Sequence, residues 1–371
     1  MNRSSFSWIS GALLVCGSSA FAADLEHQPL IPNLPAVPLQ SVSTVPGNGD
    51  INPYGVAFVP PGFPGGGSLA PGDILVSNFN NSANAQGTGT TIVRIPPGGV
   101  QLPFFHGGKG LGLTTALAVL KAGFVLVGNL PSPTGMCTDP VHQGVGQGSL
   151  LIIDKHGKQV ATLINSALLD GPWDLAVLDR GDEALVFVSS VLNGVVTRLD
   201  LILPDNDYGS QTPYVRSATQ IGSTYTHRCD PAALVVGPTG LALDTDHDLL
   251  YVASTADNAI YAIDNAATIG MHSGRGRVVY RDNEHLRGPV GLMLAPNGDL
   301  VATNGDAVNA DPTQPSEMVE FTASGHFVAQ RSVNASATGG AFGLTVNVSG
   351  GATRFAAVDD VLNVLDIWTI H

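Results

Sequence analysis

Three observations on this sequence predict an all-β fold, and within it a six-bladed β-propeller. Short apolar runs rich in Val, Ile, Leu and Tyr are cut throughout by Gly, Asp and Asn, and none is long enough for an amphipathic helix. These runs fall into six groups, most of four, whose first run starts on a similarly phased Gly-Pro-x-Gly-like turn. The sixth group owns only three runs, and an orphan run stands near the N-terminus to supply its fourth.

In chain order, Met1–Ala22 reads as a secretory signal: Arg3 gives the positive start, Trp8–Cys16 is mostly apolar, and Ala20-Phe21-Ala22 is a small-x-small cleavage site. A lipoprotein reading at Cys16 fits less well, because Ala12-Leu13-Leu14-Val15 matches a lipobox only in part. Residues 23–38 are Pro-rich and predict an extended leader, and residues 39–371 form the propeller. Leu39–Val45 is the orphan strand. Blade one takes Asn52–Phe58, Asp73–Ser77, Thr91–Ile95 and Val100–Phe105, and blade two takes Thr115–Leu120, Phe124–Val127, Ser149–Ile153 and Gln159–Ile164. Blade three opens at Gly171-Pro172-Trp173-Asp174 and continues through Ala184–Val188, Gly194–Leu199 and Tyr214–Ile221. Blade four is the clearest: Gly237–Asp264 holds three strands in a row, with Arg277–Tyr280 outside them. Blade five starts at Gly288-Pro289-Val290-Gly291 and adds Asp299–Thr303, Glu317–Thr322 and His326–Ser332. Gly343–Val346, Thr353–Val358 and Asn363–Thr369 make the sixth.

A lone meander exposes apolar faces and an unpaired edge, and radial stacking buries both. A strand lent by the N-terminal end ties such a ring shut. The competing architecture, two β-sandwiches, does not call for six similarly phased starts.

The net charge of −14 and a charged fraction of 12% argue against nucleic acid or an anionic membrane surface as partner. No segment after the signal is an uninterrupted apolar run of membrane-spanning length, about 18 residues. An exported, periplasmic or secreted protein is therefore expected. Loss of the signal removes Cys16 and leaves Cys137 and Cys229, which can pair in an oxidising compartment.

Gly237-Pro238-Thr239-Gly240-Leu241-Ala242-Leu243, with Leu250-Tyr251-Val252-Ala253 and Asp257-Asn258, resembles an NHL repeat, and Gly171–Val188, Gly288–Thr303 and Asn52–Asn81 are variants of it. The resemblance implies the propeller over about 310 residues but no single function, since such propellers include protein-binding scaffolds, lyases and relatives of lactone hydrolases. A more distant likeness to regucalcin- and gluconolactonase-like propellers implies a cation at the axis, held by a Glu and several Asn/Asp. This chain departs from that pattern, because the corresponding blade-one position reads Asn52-Pro53.

In such a blade the loop between the second and third strands and the link to the next blade leave on one face. Here that face collects the longest polar excursions, Gly128–Gly148 and Gly222–Pro238 among them. It carries Cys137 and Cys229, expected to form a disulfide that clasps the long loop. It also carries two candidate metal sets: Asn78, Asn304, Asp306, Asp359 and Asp360, whose hard oxygens suit Ca²⁺, or His106, His142, His227 and His285, whose imidazoles suit Zn²⁺. Asp174 stands where blades four and five have Gly240 and Gly291. It is the candidate general base, or else an acceptor for backbone N–H groups of a neighbouring blade. The chain shows no GxSxG, P-loop, HExxH or CxxC. The reading is of an exported binding module that recognises a small molecule, glycan or protein through its loop-rich face. The alternative is a cation-dependent hydrolase or lyase acting on a small substrate at the pore mouth.

Overall fold

The computed structural model describes residues 28–138, 143–204, 212–272 and 274–370. The expected signal segment and Cys16 lie outside them. There are six four-stranded antiparallel sheets; five run in sequence order from inner to outer strand, and the sixth has the N-terminal strand outermost. Their inner strands are Ile51–Phe58, Leu113–Leu120, Pro172–Asp179, Pro238–Asp244, Pro289–Leu294 and Ala341–Ser349, and consecutive ones pack against each other, the last against the first. The molecule is a six-bladed β-propeller.

Every inner strand carries an irregularity at the same place. In five blades two residues oppose one on the second strand: Pro238 pairs with Ser254 and Leu241 with Val252, for example, which leaves Thr239 and Gly240 facing Ala253, and Pro53, Pro172, Pro289 and Ala341 begin the same step. Blade two stretches it to three residues, Thr114, Thr115 and Ala116 between Leu113 and Leu117, against the single Gly128. These bulges bend the strand and re-aim its side chains. The repeated glycine is explained here by contact. A Cβ on Gly240 would stand 2.5 Å from the Leu292 nitrogen of the next blade, and one on Gly343 would strike the Tyr54 carbonyl.

Hydroxyls stitch neighbouring blades at this level. Ser77 accepts the Gly55 N–H (2.9 Å) and donates to the Thr114 carbonyl (2.9 Å). Ser189 does the same for Asp174 N–H and the Thr239 carbonyl, and Thr303 for Gly291 N–H and the Phe342 carbonyl. Thr114 and Thr239 cover the joints between, donating to the carbonyls of Pro172 and Pro289. Apolar residues on both faces of each sheet fill the spaces between blades. One such cluster joins Ile74, Val76, Val93 and Ile95 of blade one to Ala356, Val358, Leu365 and Ile367 of blade six.

The sixth blade is completed as expected. Gln40–Ser43 pairs antiparallel with Val364–Ile370, placing Val42 opposite Leu365, and Thr44 N–H donates to the Asn363 carbonyl. The leader differs from its expected extended form. Leu30–Asn33 is a single helical turn, because the buried Glu320 carboxylate accepts the Leu30 and Ile31 N–H groups at 2.6 and 2.7 Å. Leu30, Ile31 and Leu34 sink among Met293, Met318 and Trp368. Arg331 donates to the carbonyls of Leu34, Pro35 and Ala36. Side-chain capture at both ends of the segment outweighs the extended preference of its prolines.

Closure by the N-terminal strand makes Val42 a test of the ring. Val42→Asp puts a carboxylate into the blade one–blade six seam, and should cost more than about 3 kcal/mol of stability. A chemical-denaturation midpoint unchanged from wild type would show that the seam does not depend on this strand.

Candidate ligand site at the propeller axis

The bulges decide what stands on the axis. Tyr54, Trp173, Val290 and Phe342 occupy the same bulge position in blades one, three, five and six. Their side chains gather with Phe79 in one buried cluster. The Tyr54 ring stacks on Phe79 (centroids 4.8 Å apart) and on Phe342 (4.3 Å), and Trp173 meets Tyr54 edge-on at 5.6 Å. This aromatic plug divides the channel. Below it, the C-terminal halves of the inner strands line an opening of about 480 Å³ that includes Asp174. Above it lies a cavity of about 320 Å³.

The upper cavity combines the aromatic floor with polar groups from the tops of blades one, five and six, namely Asn52, Asn80, Asp306 and Asp360. Several of these polar atoms are buried without a hydrogen-bond partner: Asn52 Oδ1, Asn80 Oδ1, Asp306 Oδ1, and also Gln86 Oε1 and Trp173 Nε1. A buried polar atom left unpaired costs on the order of 1–3 kcal/mol, so a cluster of them around one cavity is unusual in a purely structural site. Burial pushes the Asp360 carboxyl up to about 7, helped by the negative charge of adjacent Asp359. Burial also raises Asp306, against the pull of N–H donors from Gly339 (2.8 Å) and Ser316 (3.0 Å). Tyr54 is held far above the ordinary phenol range by burial and then by Asp360.

A short hairpin, Arg228–Asp230 with Leu234–Val236, places Ala232, Ala233 and Val235 along the same cavity. It was not legible in the sequence, where its stretch reads as a linker. Its turn is built by Asp230, whose side chain accepts the Ala232 and Ala233 N–H groups, and Leu234 takes a left-handed conformation at φ 64°. Two tethers fix it. Gln86 of blade one donates to the Ala232 carbonyl at 2.8 Å, and Cys137 of the blade-two loop is disulfide-bonded to Cys229, with Cα atoms 5.3 Å apart. The expected clasp is therefore present, and what it clasps is the wall of the axial cavity.

The sequence candidates separate in the structure. Asp306 and Asp360 line the cavity together. Asp359 instead accepts from Asn334 and from Leu362 N–H. Asn304 is bonded to Arg287, His285 and Glu317 inside blade five. Asn78 donates to the Thr44 carbonyl and to Thr91, which ties blade one to the closing strand. The histidines do not converge. His106 ends the outer strand of blade one, His227 bonds the Tyr225 carbonyl, and His285 bonds Asp282 (2.7 Å) and stacks on Phe327. His142 lies outside the described residues. Among the described residues no three of His, Cys, Asp and Glu form a group able to hold a metal ion.

Asp174 lines the lower opening and takes backbone N–H groups from Leu175 (2.8 Å) and from Leu241 of blade four (3.0 Å). Burial nevertheless pushes it up to about 7. It replaces the bulge glycine of other blades with a side chain that bonds the next blade. Of the upper site, the sequence reading missed Tyr54, Trp173, Phe342, Asn80 and the hairpin. The one available signal was an aromatic residue recurring at the same position after the blade start.

No protein-family model matches the chain, and no curated protein does. Solved structures match it across nearly its whole length. A gluconolactonase from Xanthomonas campestris is 14% identical, with 92% of this chain and 99% of that one covered and a TM-score of 0.51. Regucalcin from Agrobacterium tumefaciens, described as a calcium-binding protein, is 12% identical over 88% and 93%, also at 0.51. A chain of a mitotic checkpoint complex is 11% identical over the full length of both, at 0.53. At these identities the likeness is one of fold alone, the β-propeller.

Two measurements check this geometry. Peptide mapping without reductant should recover the peptides of Cys137 and Cys229 linked, and Cys137→Ser should lower stability by roughly 2–4 kcal/mol. The second concerns pH. A carboxyl whose folded pKa is raised makes the fold lose stability as pH climbs from its unfolded value toward its folded one, here up to about 7. Asp360→Asn removes that loss, so the variant should gain on wild type by on the order of 2 kcal/mol between pH 5 and pH 8. Parallel melting curves at the two pH values would contradict it.

Proposed function

We propose that this protein is an exported binding module whose axial cavity, beside the tethered hairpin, takes a small polar molecule. The observation that carries the reading is the set of unpartnered buried atoms, four oxygens and one indole N–H, around one cavity of about 320 Å³ with an aromatic floor. Small-molecule sites combine an apolar wall with a few convergent polar groups, and a ligand toward which these buried side chains turn would supply the missing hydrogen bonds. The acidic balance and the disulfide suit an extracytoplasmic setting. Among the described residues no helix is long and apolar enough to cross a membrane.

A second reading, hydrolysis of a small ester or lactone, is favoured by Asp360. A carboxyl titrating near neutrality in a ligand cavity can take the proton of an attacking water. The axial cation implied by the regucalcin-like resemblance does not fit these residues. Blade one offers Asn52 in place of an acid, the two cavity carboxyls have no third partner, and aromatic side chains form the floor.

The test is a thermal-shift and Trp-fluorescence screen of small polar molecules, sugars and lactones included, on wild type and on Ala233→Trp, which fills the cavity mouth. Hits at a concentration 100 times Kd should stabilise wild type by about 2.7 kcal/mol and lose this in the variant. Hits equally effective on Ala233→Trp would place the site elsewhere. Turnover of a screened lactone, lost in Asp360→Asn, would favour the hydrolase.

A further inference from the structure

We propose that the axial cavity is built for a small primary ammonium ion whose short chain also carries a hydrogen-bond acceptor. This rests on the reading of the cavity as a ligand site and names the class of ligand.

Charge gives the first argument. Asp306 and Asp360 both line the cavity, and among the described residues no Lys, Arg or His lines it; Arg287 acts on Asp306 from outside the lining and is itself paired with Glu317 and Asp311. An anionic ligand would meet two carboxyl groups with no cation on the cavity wall to receive it, in surroundings where burial already disfavours their charge. A cation relieves both.

Hydrogen bonding gives the second. The unpaired oxygens of Asn52, Asn80, Gln86 and Asp306 are acceptors, and their amide nitrogens are spoken for where the structure shows them: Gln86 Nε2 by the Ala232 carbonyl and Asn80 Nδ2 by Asn84 Oδ1 at 2.7 Å. These oxygens have almost no exposed surface, so a donor-rich ligand satisfies them as their side chains turn into the cavity. An –NH₃⁺ group carries three donors and no acceptor, whereas a quaternary ammonium carries none. The indole Nε1–H of Trp173, buried and unpaired, asks for an acceptor on the same ligand.

Size and wall chemistry separate an organic cation from a metal ion. A Ca²⁺ ion draws six to eight oxygens in to about 2.3–2.6 Å. Here the cavity has about 320 Å³, and side chains of Tyr54, Trp173, Val290 and Phe342 line it. An apolar wall suits a short hydrocarbon chain and contributes nothing to a bare ion. Aromatic side chains around an ammonium group also favour it through their ring quadrupoles.

Calorimetry at pH 8 on the intact protein tests this with three probes of one shape: 4-amino-1-butanol, 1,4-butanediol and 4-hydroxybutyrate, with Ca²⁺ as a fourth. The amine, protonated at this pH, should bind at least tenfold tighter than the diol, and the carboxylate should not bind. Asp360→Asn should weaken the amine at least tenfold and leave the diol within about twofold. Asp306→Asn, which keeps an oxygen for the Ser316 and Gly339 N–H groups, serves as the second variant should the first fail to fold. A diol as tight as the amine, an amine indifferent to both substitutions, or no amine binding would overturn the ammonium assignment. So would stoichiometric Ca²⁺ binding that the amine cannot displace. Any of these can occur while neutral ligands still bind and are blocked by Ala233→Trp, so the assignment can fail with the cavity reading intact. Loss of every cavity-dependent ligand would sink both.

Discussion

The structure depends on close approach of six inner strands around the axis, held by hydroxyl-to-carbonyl bonds from one blade to the next. Ser77, Thr114, Ser189, Thr239 and Thr303 each donate to a backbone carbonyl of the following blade. Buried backbone carbonyls must find partners, and at the centre of a ring no strand ladder can supply them all. A short side-chain hydroxyl fits because it can accept from its own blade's bulge and donate to the next. The bulge glycines belong to the same constraint, since a Cβ there would collide with the neighbouring backbone. Among the described residues no matching hydroxyl bond joins blade six to blade one. That joint relies on the closing strand and on the apolar seam around Val42, Val56 and Leu365.

The site follows from this packing. A bulge that turns one side chain toward the axis in every blade lets the protein choose, blade by blade, what stands there. Blades one, three and six place Tyr54, Trp173 and Phe342, which close the channel into two chambers. Blade three departs again at the next residue, where Asp174 replaces glycine and spends its carboxylate on N–H groups, one of them from blade four. The upper chamber is then finished by loops. The disulfide and the Gln86 bond hold a hairpin beside it, and Leu234 is kept in a left-handed conformation that a bulky residue adopts only under such restraint. Restraint of this kind pre-organises a wall and lowers the ordering cost of binding.

Much of the fold was legible because its signals are local. Apolar runs, turn residues and the phase of Gly-Pro starts depend on neighbours in sequence, and they located the strands of all six blades to within a few residues. The closing strand was legible by counting, since the sixth blade lacked one. The hairpin at Arg228–Val236 was not, because three-residue strands cut by a proline carry no periodicity. The helical turn at Leu30–Asn33 was hidden for another reason: its caps come from Glu320 and Arg331, nearly 300 residues away.

The sequence alone determined that this chain must bury six β-meanders against one another, because each is too short and too apolar to stand in water singly. It also determined that two cysteines would lie on one face, since chain order assigns loops to faces. The tertiary structure decided which polar residues form a site. Asn78, Asn304, Asp306, Asp359 and Asp360 look alike in sequence, as acids and amides at strand ends. Only their surroundings separate those consumed by backbone and side-chain partners from the two that share one cavity, Asp360 and Asp306, the latter spending one oxygen on the Ser316 and Gly339 N–H groups. Hydrogen-bond satisfaction is a property of three-dimensional neighbours, and nothing in the order of residues encodes it directly.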